Sequence, residues 1–133
     1  DCIDGIHKKG VLHLDIKPEN LMCSIDKDNI EVNAIDFGLS LILETTRDDE
    51  GNEVFKKEVM DEPRGTDDYM SPTLKESRKV WEEWDKASSG GAFIPEPSLF
   101  AHTKKTDIYA LGKMFKADIG LKNKIVKERE LPK

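Results

Sequence analysis

The stretch His13–Asn20, HLDIKPEN, places a histidine, an aspartate, a lysine and an asparagine within eight residues. Pro18 disfavours helical backbone at Lys17, so this stretch cannot be one continuous helix. Apolar runs lie on both sides of it, VL before and LMCSI after. Polar groups at close spacing on a loop between apolar runs are typical of a functional loop. Asp15, Lys17 and Asn20 are its candidate functional residues.

Further short motifs follow in a fixed order. Asp36, Phe37 and Gly38 come directly after the apolar run IEVNAI. The segment Gly65–Pro72, GTDDYMSP, comes next and is followed by Asp107–Gly112, DIYALG. An Asp-Phe-Gly triplet alone is weak evidence for any function. The ordered set is specific, because a coincidental match of the whole series is very improbable.

The ordered motifs resemble those of eukaryotic-type protein kinases, which read H-R-D-L-x-x-x-N, D-F-G and A-P-E. Here they read HLDIKPEN, DFG and SPT. The resemblance covers residues 2–117, apart from an insertion-like stretch at 75–104. It implies that residues 1–133 are one partial kinase domain. Its parts would be a catalytic loop at 13–20, an activation segment at 36–73 and a core helix at 105–117.

The resemblance implies an ATP-dependent protein kinase that transfers the γ-phosphate of ATP to Ser or Thr of a protein substrate. In such enzymes the protein mainly positions groups and neutralises charge. Asp15 matches the catalytic base. Lys17 matches the cation beside the transferring phosphoryl group. Thr66 matches the threonine that contacts the catalytic base and this lysine. Lys17 and Thr66 together favour Ser/Thr over Tyr as the acceptor.

ATP and Mg2+ are the cofactors that the resemblance implies. Mg2+ prefers oxygen ligands and keeps some of its waters. Asn20 and Asp36 match the residues that hold the metal. Lys17, Glu19, Asn20, Met22 and Asp36 are the nucleotide-side candidates, with Met22 under the adenine.

Three residues match structural positions of the family, and two depart from its pattern. By resemblance, His13 and Phe37 stack in the interior, and Asp107 anchors the backbone of the catalytic loop. Leu14 stands where many kinases have an Arg that receives an activation-loop phosphate. Thr73 stands where the A-P-E motif has Glu, which leaves open how the activation segment is anchored.

The local patterns predict an α+β fold, a mainly helical kinase C-terminal lobe with a small β-ribbon that carries the catalytic and metal-binding loops. CIDGIHKKG predicts a helix that ends at Gly10. LMCSI and IEVNAID predict an antiparallel pair. The stretch 41–59, with the turn residues Gly51 and Asn52, predicts a hairpin. We hypothesise that this hairpin orders the activation segment without a phosphate, since Leu14 cannot bind one.

Two longer helices are predicted from apolar periodicity. ESRKVWEEWDKA predicts one helix with its apolar side chains packed on a core, and KTDIYALGKMFKA predicts another that starts at the N-cap Thr106. The loop SSGGAFIPEPS lies between them. The first face comprises Val80, Trp81, Trp84 and Ala87, and the second comprises Ile108, Leu111, Met114 and Phe115.

Composition narrows the classes of partner and compartment. The net charge is -6 and charged residues make up 36% of the chain. Nucleic-acid binding is not expected, because it needs clustered cations. No apolar run approaches the roughly 18 residues that span a bilayer, so no membrane segment is expected. The two cysteines favour a reducing, intracellular setting, cytoplasmic or nuclear, with Cys23 as a buried small hydrophobe.

Two functional hypotheses remain open on the sequence. The sequence contains neither a G-x-G-x-x-G loop nor a V-A-I-K lysine, so we expect the chain to be part of a longer protein and inactive alone. The first hypothesis is a fragment of an active Ser/Thr kinase, supported by the retained catalytic set. The second is a non-catalytic pseudokinase or truncated kinase-like binding module, supported by Leu14, Thr73 and the insertion-like stretch.

Overall fold

The computed structural model describes residues 2–91 and 93–116, which form three helices and eight short strands. The helices are α1 (Cys2–Lys8), α2 (Pro72–Ser88) and α3 (104–116). The strands are β1 (Val11–Leu12), β2 (Leu21–Asp26), β3 (Asn29–Ala34), β4 (Leu41–Ile42), β5 (Thr45–Arg47), β6 (Glu53–Phe55), β7 (Glu58–Asp61) and β8 (Phe100–Thr103). They pair antiparallel as β1–β4, β2–β3, β5–β6 and β7–β8.

The α+β class predicted from the sequence is confirmed. Among the described residues the strands form four two-stranded sheets, more than the one small ribbon that the sequence predicts. Two 3-10 turns, Pro18–Asn20 and Asp67–Tyr69, lie in the predicted catalytic loop and activation segment. No helix in the described part of the chain is long and apolar enough to cross a membrane.

α1 ends as the sequence predicts. Ile3 and His7 are buried on one face of the helix. Gly10 follows with φ of +78°, in the left-handed region that favours glycine. A Cβ at this position would collide with the ring of Phe55. Gly10 is therefore required both for the turn and for the close approach of β6.

The predicted antiparallel pair is confirmed as β2 and β3. Leu21 lies opposite Ala34, Cys23 opposite Val32 and Asp26 opposite Asn29. Cys23 is a free, exposed thiol, so the prediction that it is buried is wrong. The cause is the setting of the hairpin, whose two strands are exposed along most of their length.

The predicted hairpin over 41–59 is confirmed only in its middle. Thr45–Arg47 pairs with Glu53–Phe55 around a turn in which Asp48 Oδ1 accepts the backbone N–H of Asn52 at 2.8 Å. The two ends of the stretch pair elsewhere, β4 with β1 and β7 with β8. The predicted activation segment therefore has three strand pairings. Only the β5–β6 pairing is internal to the segment, whereas β4 and β7 pair with strands outside it.

α2 begins earlier than the sequence predicts. Ser71 is the N-cap, and its side chain accepts the backbone N–H of Leu74 at 3.3 Å. Pro72 occupies the first turn, where its missing N–H costs nothing. Residues at 75–88 of the predicted insertion are thus the continuation of one regular helix.

The two tryptophans of α2 contact the loop that follows the helix. Trp81 is buried and donates its indole N–H to the Ser98 carbonyl at 3.1 Å. Trp84 donates to the Ile94 carbonyl at 2.9 Å. The two rings contact each other edge to face, with centroids 5.6 Å apart.

The prediction that Val80 and Ala87 belong to the packed face of α2 is wrong, since both are exposed. Leu74 and Trp81 are its buried residues, seven positions apart. An interval of seven residues is two helical turns, so these two side chains lie on the same stripe. Val80 and Ala87 lie off that stripe.

α3 presents a different face from the one predicted. Asp107, Ala110 and Met114 are buried, whereas Ile108 and Phe115 are 56% and 51% exposed. The prediction fails for Ile108 and Phe115 because the buried carboxylate of Asp107 belongs to the inner face of the helix. A search for apolar periodicity treats an aspartate as a surface residue. Residue 117, the last of the predicted core helix, and the tail beyond it lie outside the described residues.

The predicted N-cap of α3 is also wrong. The helix begins at residue 104, ahead of Thr106. Thr103 Oγ1 accepts the backbone N–H of Lys105 at 3.1 Å. This is a side-chain cap of the first turn, so Thr103 has the role expected of Thr106.

The buried apolar residues of the catalytic-loop region form two small clusters. Ile3, Ile16 and Ala110 join α1, the loop and α3. Leu12, Leu14 and Leu43 join β1, the loop and the activation segment. The loop is therefore packed from two directions, which fixes the side chains between them.

Candidate active site

A buried carboxylate holds the start of the catalytic loop. Asp107, on α3, is fully buried and accepts the backbone N–H groups of His13 at 2.9 Å and Leu14 at 2.8 Å. Its Oδ2 also accepts Nε2–H of His7 at 2.8 Å. Three donors offset the cost of burying this charge. The placement agrees with the anchoring position that the resemblance implies for Asp107.

His13 links the catalytic loop to the strand before Asp36. Its Nε2 donates to the Ile35 carbonyl at 2.8 Å, and its Nδ1 accepts the backbone N–H of Asp15 at 3.2 Å. Its ring lies 4.9 Å from that of Phe37, at 60°. Both ring nitrogens are thus committed to backbone groups. His13 is a buried structural residue, and its predicted contact with Phe37 is present. Phe37 itself is 46% exposed, so the prediction that both rings stack in the interior is wrong for Phe37.

Asp15, Lys17 and Thr66 meet at one point. Thr66 Oγ1 donates to Asp15 Oδ1 at 2.6 Å, and Lys17 Nζ donates to Thr66 Oγ1 at 3.0 Å. Lys17 Nζ also lies 3.8 Å from Asp15 Oδ2. The side chains of Asp15 and Lys17 are only 12% and 24% exposed. A partly buried carboxylate and ammonium at this distance interact more strongly than a pair on the surface.

Asn20 joins the same cluster from the 3-10 turn. Its Nδ2 donates to the Asp15 carbonyl at 2.8 Å and to Asp15 Oδ2 at 3.2 Å. Its backbone carbonyl accepts the N–H of Ile35 at 2.8 Å. Since the amide nitrogen is committed to Asp15, the side-chain oxygen of Asn20 is the atom left for a metal.

Asp36 is the other predicted metal ligand. It has φ of +56°, in the left-handed region that Asp tolerates, and its side chain is exposed. Its Oδ1 accepts a long hydrogen bond from the Gly38 N–H at 3.3 Å, which leaves lone pairs for a cation. Within residues 2–91 and 93–116, no hydrogen bond joins Asp36 to Asn20. No group of three or more His, Cys, Asp or Glu side chains there could hold a metal.

The donor set nevertheless fits magnesium. One carboxylate and one amide oxygen suit a cation that keeps several waters and takes its remaining ligands from phosphates. The other two predicted nucleotide-side residues, Glu19 and Met22, are exposed beside this region, Met22 by 59%. The roles of Glu19, Met22, Asn20 and Asp36 stay predictions.

Leu14 adopts an unusual backbone conformation. Its φ is +68°, which is costly for a residue with a Cβ. Its N–H is held by Asp107, and its buried side chain packs with Leu12 and Leu43. Leu41 also packs on this cluster. In place of a phosphate-binding cation, this position makes an apolar contact with the activation segment.

Sequence reasoning missed two residues that hold the segment before Thr66. Arg78, on α2, donates to the Gly65 carbonyl at 2.6 Å. His102, on β8, is fully buried and donates Nε2–H to the Glu62 carbonyl at 2.8 Å. The stretch FAHT shows no alternation of apolar and polar residues, so no strand signal pointed to β8. Nothing in the sequence pattern distinguishes Arg78 from the other charges of its helix.

Comparison with known proteins identifies the family. Residues 1–124 match the family model for the protein kinase domain. The chain therefore belongs to the protein kinase family, and the resemblance to eukaryotic-type Ser/Thr kinases is confirmed.

Curated relatives are similar over shorter stretches. A probable myosin light chain kinase of Dictyostelium discoideum is 40% identical over 78 residues, 58% of this chain and 17% of the relative. The smooth-muscle myosin light chain kinase of Gallus gallus is 49% identical over 43 residues, 32% of this chain and 2% of the relative. A serine/threonine-protein kinase of Saccharomyces cerevisiae is 38% identical over 77 residues, 56% of this chain and 10% of the relative. The chain spans less than a fifth of each.

Proposed function

We propose that this chain is part of the C-terminal lobe of an ATP-dependent kinase that phosphorylates Ser or Thr of protein substrates, with Asp15 as catalytic base. The observation that carries the proposal is the contact of Asp15, Lys17 and Thr66. These side chains come from two segments about fifty positions apart in the chain, and the fold brings them together. Here one hydroxyl bridges the carboxylate and the ammonium.

Asp15 has the geometry of a general base. Oδ1 is held by Thr66 and Oδ2 by Asn20, so the carboxylate cannot rotate freely. A fixed carboxylate can accept a substrate hydroxyl proton at one oxygen while its remaining lone pairs keep their partners. The small exposure of its side chain strengthens its charge interactions by limiting solvent screening.

In this proposal the positive charge comes from Lys17 and from the metal ion that Asn20 and Asp36 would hold. When bound, ATP supplies the γ-phosphoryl group, and Mg2+ offsets its negative charge. Asn20, through its side-chain oxygen, and Asp36 would hold the metal. Lys17 is oriented by Thr66 and would stabilise charge on the transferring group. Met22 and Glu19 would line the nucleotide side.

The apolar contact of Leu14 supports ordering of the activation segment without a phosphate. Leu14 packs with Leu43, and β4 pairs with β1 directly beside it. Phosphorylation at Thr45 or Thr46 should therefore leave transfer by the full-length protein within about twofold, since no cation at position 14 can receive the phosphate. A strong rise in activity with phosphate at either threonine would contradict this.

The experiment uses the full-length protein, since the isolated chain should be inactive. Peptides that differ only in Ser, Thr or Tyr are offered with ATP and magnesium. We expect transfer to Ser and Thr, little to Tyr, and near loss in Asp15→Asn. The alternative, a non-catalytic kinase-like binding module, predicts no transfer from either protein. Equal transfer by both proteins would refute the assignment of Asp15.

A further inference from the structure

We propose that β8 is a built-in brace that positions Thr66 by pairing with the activation segment, and that His102 is its positioning residue. This inference rests on the proposed function, because Thr66 matters through its contact with Asp15. The name brace denotes Phe100–Thr103 throughout.

The brace pairs with β7 over its whole length. Glu58 lies opposite Thr103, and Asp61 lies opposite Phe100. An isolated two-stranded pair is only marginally stable, so side chains must support it. In one of the two inner pairs, His102 is buried and Val59 opposite it is partly buried against the Leu12, Leu14 and Leu43 cluster.

His102 extends the attachment beyond the last pair of the sheet. Its Nε2–H donates to the carbonyl of Glu62, the residue directly after β7. Its ring is fully buried and packs against Phe100, with centroids 5.0 Å apart. Nδ1 has no partner among the described residues, so the Glu62 carbonyl fixes the orientation of this ring.

The held carbonyl is close in sequence to the site. Glu62 precedes Thr66 by four residues. Arg64, between them, donates to Asp61 at 2.8 Å and to the Leu39 carbonyl at 3.4 Å. Arg78, on α2, donates to the Gly65 carbonyl at 2.6 Å. The segment is thus fixed at its first and last peptide groups, which leaves the Thr66 hydroxyl little freedom.

The brace is itself attached to α2. The indole groups of Trp81 and Trp84 bind the carbonyls of Ser98 and Ile94, in the loop that leads into β8. Thr73, which replaces the Glu of the A-P-E motif, is exposed and contacts Ser71 Oγ at 3.2 Å. The insertion therefore provides the anchoring of the activation segment that Thr73 cannot.

The test compares two substitutions of His102 in the full-length protein. His102→Phe keeps a buried ring but removes the donor, and His102→Gln keeps an N–H donor. We expect kcat to fall about tenfold in His102→Phe and less than about threefold in His102→Gln, as for loss of one buried hydrogen bond. KM for ATP should stay within about twofold in both, because nucleotide contacts are unchanged. The control is Phe93→Ala, because Phe93 lies in the loop that leads into β8 and is 96% exposed.

Hydrogen exchange separates the brace from the proposed function. The amides of 58–66 should exchange faster in His102→Phe than in His102→Gln or Phe93→Ala. Unchanged kcat in His102→Phe overturns the proposal, whatever the exchange shows. If the unmodified protein transfers no phosphate, the proposed function fails, and hydrogen exchange alone tests the brace. In that case, equal exchange rates of the 58–66 amides in the three variants would overturn the proposal for the brace.

Discussion

The hydroxyl of Thr66 lies 2.6 Å from Asp15 Oδ1, across 51 positions of sequence. The same hydroxyl accepts a hydrogen bond from Lys17. Because Thr66 belongs to the activation segment and Asp15 to the catalytic loop, the site exists only when the segment is folded back on the loop. The geometry of the candidate site and the order of residues 36–73 are therefore one structural property.

Thr66→Val should lower kcat of the full-length protein about tenfold, with KM for ATP little changed. Valine has nearly the shape of threonine but neither donates to Asp15 nor accepts from Lys17. Thr66→Ser keeps the hydroxyl and serves as the matched control, with most of the activity retained. Equal kcat values for the Val and Ser variants, from steady-state assays, would show that the Thr66 hydroxyl does not contribute to phosphate transfer.

Asp107→Ala should destabilise the protein by about 3 kcal/mol, because buried donors lose their acceptor. The donors are the N–H groups of His13 and Leu14 and the ring of His7. Chemical denaturation of the full-length protein measures the change. Asp4→Asn, which breaks an exposed pair with Lys8, should leave the unfolding midpoint unchanged. A midpoint for Asp107→Ala equal to that of the control would show that these hydrogen bonds to Asp107 do not stabilise the protein.

Leu14→Ala should cost about 2 to 4 kcal/mol of stability, as for other leucines removed from a packed core. The lost contacts are those with Leu12 and Leu43. Leu14→Met conserves volume and should cost less than about 1.5 kcal/mol. Thermal unfolding of both variants gives the comparison. If the alanine variant is as stable as the methionine variant, the apolar contact with the activation segment contributes nothing.

Stability should fall below about pH 6.5 because of His102. Burial lowers the pKa of this histidine below its ordinary value of 6.5, and Arg64 acts in the same direction. The Glu62 carbonyl, Asp61 and Asp107 oppose the shift but do not reverse it. Between the lowered pKa and 6.5 the unfolded chain binds more protons than the folded one. The stability present above pH 6.5 is therefore lost as the pH falls through the lowered pKa.

Unfolding temperatures measured from about pH 7.5 to about pH 5.5 test this dependence. The unmodified protein should lose more stability over this range than His102→Gln, which has no titrating group at the site. Parallel curves for the two proteins would show that His102 does not contribute.

The sequence predicts local features here better than long-range ones. The motif order led to the protein kinase family, and short-range signals found α1 with its Gly10 stop and the β2–β3 pair. These depend on residues close in sequence, where backbone preference and turn chemistry decide the outcome.

Several of the features that the sequence missed or predicted wrongly share a physical cause. β7 pairs with β8 across about forty positions, and no local pattern specifies that partner. The inner face of α3 is built around Asp107, whose burial depends on backbone donors supplied by the loop. Arg78 and His102 act through carbonyl groups, which the sequence does not distinguish from one another. Tertiary hydrogen bonds of this kind are visible only in the structure.

The most direct test of the central claim is single-turnover transfer from ATP-magnesium by the full-length protein and its Asp15→Asn variant. Asparagine keeps the size of the side chain but cannot accept the substrate proton as a carboxylate does. We expect the rate constant to fall at least about a hundredfold, with the Kd for ATP within about twofold. Equal rate constants for the two proteins would contradict the assignment of Asp15 as catalytic base.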